Sequence, residues 1–168
     1  MQVRISALAI ALIFPAWGCG SSSPTTPSPA IVTAVTEWTV TQRFVSVSGP
    51  DNCWVREQRQ RLTGAVFSDL PMTVTRSAGT IRLDGSFFQV NYSGTMNGSE
   101  FAASGGPLSG GGRPCQDGTS FQQLAGVSNL SGRFSADDRS MTATEVNSYR
   151  LTTDEPVTYS WEWQAARK

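Results

Sequence analysis

The stretch "TYSWEWQA" at residues 158–165 decides the fold class, because aromatic and polar side chains alternate along it. Tyr159, Trp161 and Trp163 share one face of an extended chain, and the polar residues between them share the other. A period of two is typical of a half-buried antiparallel strand. The stretch therefore predicts a strand whose aromatic face lies against a core.

Two earlier stretches alternate in the same way and place their large apolar residues on one face. They are "EWTVTQRFV" at 37–45, with Trp38, Val40 and Phe44 together, and "SFFQVNYSG" at 86–94, with Phe88, Val90 and Tyr92 together. Both predict further half-buried strands of the same sheet.

Turn signals separate these stretches. Hairpins are predicted at Ser77–Gly79, at Asn97-Gly98 and at 136–139. The Gly-rich stretch at 105–118 predicts a mobile loop, and no window shows helical spacing. About eight to ten antiparallel strands with short connections would leave two open edges, which closure removes. We therefore expect an all-β, up-and-down barrel over residues 34–168, with a β-sandwich as the alternative.

The composition excludes several classes of function. Thirteen Lys and Arg residues balance thirteen Asp and Glu residues, so no basic excess is present to bind nucleic acid. His is absent, which removes the commonest general base and the commonest metal ligand. We expect no catalytic residues, no metal site and no cofactor.

The first thirty residues differ in character from the rest. A positive charge at Arg4 precedes a largely apolar run at 5–14, and small residues follow near Gly18. This is the layout of a secretory signal, and the run is too short for a permanent membrane helix of about 20 apolar residues. Residues 21–30 are rich in Ser, Pro and Thr and predict a disordered, extended linker. A buried helix of the domain is the alternative for the apolar run.

The tetrapeptide "AWGC" at 16–19 resembles the lipobox of bacterial lipoproteins. The resemblance implies cleavage after Gly18, a diacylglyceryl group on the Cys19 sulfur and acylation of the new amino terminus. The family prefers Leu where this chain has Ala16. Gly20 rather than Asp follows the cysteine, which in this family implies the outer membrane in a host with two membranes. Ordinary secretion with a free Cys19 is the alternative.

These features divide the chain into three parts. We expect a signal peptide at 1–18, a lipid-anchored linker at 19–33 and the barrel at 34–168. The protein would then belong to the bacterial cell envelope, held to the membrane through lipid on Cys19, because several acyl chains hold firmly where one holds marginally.

The two remaining cysteines, Cys53 and Cys115, are an even number in an oxidising compartment. We expect one disulfide, which in the chain-entropy model stabilises the fold by roughly 4 kcal/mol. Zinc binding is the alternative, but two thiols without His or a close CxxC pair make a poor zinc site.

Two stretches place polar residues where a core is expected. Glu145 and Asn147 share the apolar face of "SMTATEVNSYRL" at 140–151, and an internal carboxylate needs a partner. The stretch "NCWVREQRQRL" at 52–62 is interpreted as a strand with two polar faces. Either one face points into the interior, where Arg59 or Arg61 would pair with Glu145, or the strand is an exposed edge.

The order of strands and the Trp residues near each end of the domain loosely resemble lipocalin-like (calycin) barrels over residues 34–166, although the Gly-x-Trp signature is absent. Aromatic walls with a few polar groups inside such a barrel would form a pocket for a small, partly apolar ligand. The candidate pocket residues are Trp38, Arg59, Phe88, Tyr92, Glu145, Tyr149 and Trp161. The alternative is a filled barrel that acts as a structural or protein-interaction adaptor of the envelope.

Overall fold

A closed eight-stranded barrel forms the body of the chain, in a computed structural model that describes residues 33–85, 91–116 and 118–168. The predicted signal peptide, the lipobox with Cys19 and all of the linker except Thr33 lie outside the described residues, as do Phe88 and Val90. The first strand begins at Thr33, one residue before the predicted start of the barrel.

The elements are ten strands and one helix among the described residues. In chain order they are β1 Thr33–Ser48, α1 Cys53–Leu62, β2 Val66–Ser77, β3 Thr80–Asp84, β4 Tyr92–Asn97, β5 Glu100–Leu108, β6 Gly112–Pro114, β7 Ser120–Gln122, β8 Gly126–Phe134, β9 Ser140–Arg150 and β10 Pro156–Arg167.

The barrel is antiparallel throughout and its strand order is β1-β10-β9-β8-β5-β4-β3-β2, with β2 pairing back to β1. Every barrel strand therefore lies beside its neighbour in the chain, except that the separate hairpin β6–β7 is inserted between β5 and β8. The predicted up-and-down barrel is confirmed, and the chain does not form the sandwich. Closure leaves no open edge on the main sheet.

The two ends of the barrel differ. At one end, here called the hairpin end, tight turns join β2 to β3, β4 to β5 and β8 to β9. At the other, the helix end, the longer connections carry α1 and the β6–β7 hairpin. The first turn of the hairpin end needs positive φ at Ala78 and Gly79, which matches the bend predicted at Ser77–Gly79.

The alternation in β10 has the predicted consequence. Tyr159 and Trp163 are buried, Trp161 is half-buried, and Glu162 and Gln164 are exposed. Trp163 lies opposite Ala143 of β9 and Gln42 of β1, so its side chain projects into the barrel.

The strand predicted at 52–62 is wrong, because residues Cys53–Leu62 form the helix α1. Asn52 caps it, since its side chain accepts a hydrogen bond from the Val55 backbone N–H at 3.0 Å. Trp54, Val55 and Gln58 form the buried side of the helix. The remaining positions are mostly Arg, Glu and Gln, which are good helix formers. The solvated face of this one-sided helix was therefore mistaken for the two polar faces of a strand.

The stretch at 105–118 is also more regular than a loop. β5 continues to Leu108 with a register irregularity after Gly105, and residues 112–114 form β6. Cys53 and Cys115 lie at disulfide distance, with Cα atoms 6.1 Å apart, as their pairing predicts. Cys53 begins a helix rather than the predicted strand, so the pair joins α1 to the segment after β6.

Candidate functional site

The interior of the barrel is divided into a filled half and an open half. The filled half lies toward the hairpin end, where Trp38, Phe101, Phe134 and Trp163 pack with smaller apolar residues. Arg76 lies over the Phe134 ring, with its guanidinium carbon 3.9 Å from the centroid, and it also pairs with Asp138. This half is a packed core.

The open half contains a cavity of about 560 Å³ toward the helix end. Six aromatic side chains from α1 and the barrel strands make up much of its lining. They are Trp54, Phe67, Tyr92, Tyr149, Tyr159 and Trp161. A volume of this size lies within the range of about 300–1,000 Å³ that is usual for small-molecule sites.

Glu145 of β9 lies at the base of the cavity and is only 4% exposed. Its Oε1 accepts hydrogen bonds from the Tyr92 hydroxyl at 2.6 Å and the Ser128 hydroxyl at 3.0 Å. Its Oε2 accepts from the Gln42 amide at 2.5 Å and the Trp163 indole at 2.9 Å. We call these five residues the Glu145 network. They come from β1, β4, β8, β9 and β10, so the carboxylate ties five of the eight barrel strands together.

All four donors of the Glu145 network are neutral. Among the residues that the structure describes, no Arg or Lys pairs with Glu145. Four hydrogen bonds satisfy the carboxylate, which is the condition for burying it, but they leave its charge uncompensated by a cation.

The mouth of the cavity is formed by α1 and by the segments on either side of the β6–β7 hairpin. Gln58, Arg61 and Leu62 of α1 face Ser109–Gly111 and Gln123 across it. Arg61 is exposed and donates a hydrogen bond to the Gln58 side chain at 2.6 Å. The Cys53–Cys115 pair lies behind this mouth and connects its two sides.

Three polar groups of the cavity wall have no hydrogen bond within the part of the chain that the structure describes. Asn147 Oδ1 is buried without a partner, and the Tyr149 hydroxyl makes no hydrogen bond to another side chain or to the backbone. Trp54 Nε1 lies beside the Tyr159 hydroxyl but lacks hydrogen-bond geometry. Because buried polar groups are nearly always satisfied, the buried Asn147 Oδ1 and Trp54 Nε1 indicate that the cavity holds water or a ligand.

Burial raises the pKa of all three tyrosines of the chain. For Tyr92 the nearby Glu145 charge and the hydrogen bond to it raise the pKa further. The pKa of Tyr149 is raised to about 12, by burial first and then by Tyr159 and Glu145. The three phenols therefore lose their protons at higher pH than an ordinary phenol, whose pKa is about 10.

Four of the seven predicted pocket residues lie together at the cavity. They are Tyr92, Glu145, Tyr149 and Trp161. Trp38 is buried instead in the filled half, where its Nε1 donates to the Thr36 hydroxyl at 2.8 Å. Arg59 is exposed on α1 and does not line the cavity. Phe88 lies outside the described residues.

The predicted ion pair between Glu145 and Arg59 or Arg61 is wrong. It depended on a strand at 52–62 that faced the barrel interior, whereas α1 carries both arginines away from the Glu145 network. The expected partner of the carboxylate is present, but it is a set of neutral donors.

Several lining residues were missed, chiefly Trp54 and Gln58 of α1 and Gln42 of β1. Gln42 had a signal in the sequence, since it alternates with Val40 and Phe44 on the apolar face of its strand. The helix residues had one too, because Trp54, Val55 and Gln58 follow a helical spacing after the cap residue Asn52.

No helix in the described part of the chain is both long and apolar enough to cross a membrane. Comparison with protein-family models, with curated proteins and with solved structures finds no match to this chain.

Proposed function

We propose that the protein is a non-enzymatic, lipid-anchored lipoprotein of the bacterial cell envelope, and that its barrel binds a small, partly apolar ligand in the open half. The cavity of about 560 Å³ with six aromatic side chains is the observation that carries the binding proposal. Mostly apolar walls with a few placed polar groups are what small-molecule sites usually have.

The division of the interior supports ligand binding over the adaptor role. A barrel that serves only as a structural body or an adaptor needs no cavity, and its interior would be filled throughout. Here the Glu145 network and the cavity lie between the core of the hairpin end and a second, smaller apolar cluster under α1. Asn147 Oδ1 and the Tyr149 hydroxyl at the cavity have no partner among the described residues. Groups of this kind would fix the orientation of a ligand.

The sequence "AWGC" and the Ser/Pro/Thr-rich linker support the anchor at Cys19. The barrel begins at Thr33 of β1, which lies at the hairpin end, and the mouth of the cavity lies at the helix end. A linker would therefore join the barrel at the end opposite the mouth.

The test is native mass spectrometry of the full-length protein purified from the envelope of its host. A discrete additional mass that is lost on unfolding would support the proposal and identify the ligand class. Asn147→Phe fills the cavity from β9 and should abolish this mass. Thr144→Phe puts the same side chain on the exposed face of the same strand and should retain it.

Two outcomes would contradict the proposal. One is a wild-type protein with no additional mass that also fails to bind added small molecules. The other is an additional mass that Asn147→Phe retains in full, because the ligand would then lie outside the cavity.

A further inference from the structure

The charges around the cavity are distributed unevenly, and this suggests what kind of molecule it holds. Glu145 is at the base and Arg61 is at the mouth, and they are the two charged side chains in the described lining. The base therefore has a negative potential and the mouth a positive one. In an interior of low effective dielectric such a difference strongly favours one orientation of a charged ligand.

Groups that can accept hydrogen bonds are arranged along β9 from the base of the cavity to its mouth. Glu145, Asn147 and Tyr149 alternate along the strand and line the cavity from its base toward its mouth, at about 7 Å per pair of residues. The carboxylate is uncompensated by a cation, and Asn147 Oδ1 next above it is a buried acceptor without a donor. The base of the cavity is thus suited to a ligand group that carries a positive charge and donates hydrogen bonds.

The aromatic walls suit such a group. Trp161 and Tyr149 line the same cavity as Glu145, and Phe67 packs on Trp161 with ring centroids 5.8 Å apart. Aromatic faces attract organic cations and also bury an apolar body. An anion would instead meet the Glu145 charge and the electron-rich ring faces.

The mouth of the cavity, unlike its base, disfavours a positively charged ligand group. Arg61 is held by Gln58 and pairs with no carboxylate in the described part of the chain. It repels a cationic group at the mouth and so favours insertion of that group toward the base. Trp54 Nε1 nearby offers a donor to an acceptor on the outer part of the ligand.

We propose that the cavity binds an organic ammonium ion with an apolar body, whose nitrogen lies toward Glu145 and Asn147 and whose apolar part extends to the mouth. This inference rests on the proposed function and specifies its ligand class. Attraction between the buried carboxylate and the ammonium group supplies the selectivity, and the aromatic walls supply contact area.

Three probes of similar length test the inference. They are 4-phenylbutylammonium, 4-phenylbutanol and 4-phenylbutanoate, which share a phenyl group on a four-carbon chain and differ in the charge and hydrogen bonding of the head group. Binding to the ligand-free full-length protein is measured by titration calorimetry at low ionic strength. We expect the ammonium probe to bind at least about tenfold more tightly than either of the others. Glu145→Gln should remove most of this preference.

Exposed arginines of α1 provide a second test that does not disturb the Glu145 network. Arg61→Gln should strengthen binding of the ammonium probe by about two- to fivefold and change binding of the neutral alcohol less. Arg59→Gln removes the same charge two residues away, outside the cavity, and is the matched control with the smaller effect.

The outcomes separate the two proposals. If the alcohol or the carboxylate binds as tightly as the ammonium probe, the cation preference is overturned while ligand binding stands. If Arg61→Gln weakens ammonium binding, the inferred orientation is overturned. If none of the probes binds and no ligand copurifies with the protein, the proposed function falls together with this inference.

Discussion

The Tyr92 hydroxyl of β4 donates a hydrogen bond of 2.6 Å to Glu145 of β9 across the interior of the barrel. This contact belongs to the Glu145 network, which separates the packed half of the interior from the open half. The same carboxylate therefore links barrel strands and lines the cavity. It joins distant strands through neutral donors, and its charge faces the cavity.

Tyr92→Phe should lower the free energy of unfolding by about 1.5–3 kcal/mol, because a buried hydrogen bond to a charged group is lost. Tyr149→Phe is the matched control, since the Tyr149 hydroxyl has no hydrogen bond within the described residues and its loss should cost well under about 1 kcal/mol. Urea denaturation followed by circular dichroism measures both. Equal destabilisation by the two substitutions would contradict the importance of the Tyr92–Glu145 contact.

The raised tyrosine pKa values predict unfolding at high pH. In the unfolded chain all three phenols lose their protons near pH 10, whereas in the folded protein the pKa of Tyr149 is about 12 and those of Tyr92 and Tyr159 are also raised. Above about pH 10 the unfolded state thus binds fewer protons than the folded state, and stability falls as pH rises. Stability from this source is fully present below about pH 10.

Tyrosinate absorbance checks this prediction. In the native protein it should stay low as pH passes 10 and then rise together with the loss of near-ultraviolet dichroism. In concentrated guanidinium chloride the same chain should titrate near pH 10. A native protein in which one or more tyrosines ionise near pH 10 without unfolding would contradict the burial of these phenols.

The Cys53–Cys115 pair should be oxidised in the exported protein. Thiol labelling of denatured, unreduced protein should then find neither cysteine reactive, and the double substitution to Ala should lower the free energy of unfolding by about 2–5 kcal/mol. Because the pair connects α1 to the segment after β6, its loss should also weaken ligand binding at the mouth. Two titratable thiols in the native, unreduced protein would contradict the disulfide.

Cys19→Ser should release the protein from membranes, since the substitution removes the sulfur that would carry the diacylglyceryl group. The full-length variant, expressed in the native host, is followed by fractionation and by metabolic labelling with a fatty acid. Ser22→Cys in the Cys19→Ser background is the control, because it restores a cysteine outside the sequence "AWGC". This variant should also be released from membranes. Continued pelleting and labelling of Cys19→Ser would contradict the anchor.

Much of the barrel could be predicted because its strands and turns are specified by residues that are close together in the sequence. Alternation in β1, β9 and β10 and the turn residues near Gly79 and Gly98 depend on neighbouring positions alone. The internal position of Glu145 followed from the same alternation, since Met141 and Ala143 share its face and are buried. A period of two assigns the face of every residue in such a strand.

The partners of Glu145 could not be predicted, because they are set by the register of strands far apart in sequence. Gln42 is 103 residues away from Glu145, and nothing near either residue indicates their contact. The sequence therefore suggested an ion pair with an arginine, which is the usual partner of a buried carboxylate. The structure uses four neutral donors and leaves the arginines outside.

The helix α1 was missed for a related reason. Its ten residues are too few to be stable alone, and its apolar side is narrow, so most of its stability comes from packing on the open end of the barrel. Trp54 and Val55 join a cluster with Phe44 and Val157, which lie on β1 and β10. The helical spacing of Trp54, Val55 and Gln58 after the cap residue Asn52 was the one local signal for this helix.

Indole N–H signals in a nitrogen-15 NMR spectrum test the central claim most directly. Trp54 and Trp161 line the cavity, whereas Trp38 is buried in the filled half and bonded to Thr36. On titration of the ligand-free full-length protein with the three phenylbutyl probes, we predict that the Trp54 and Trp161 signals shift with saturation and that the Trp38 signal stays in place. Unchanged Trp54 and Trp161 signals with every probe, or a Trp38 shift as large as theirs, would contradict ligand binding in the open half of the barrel.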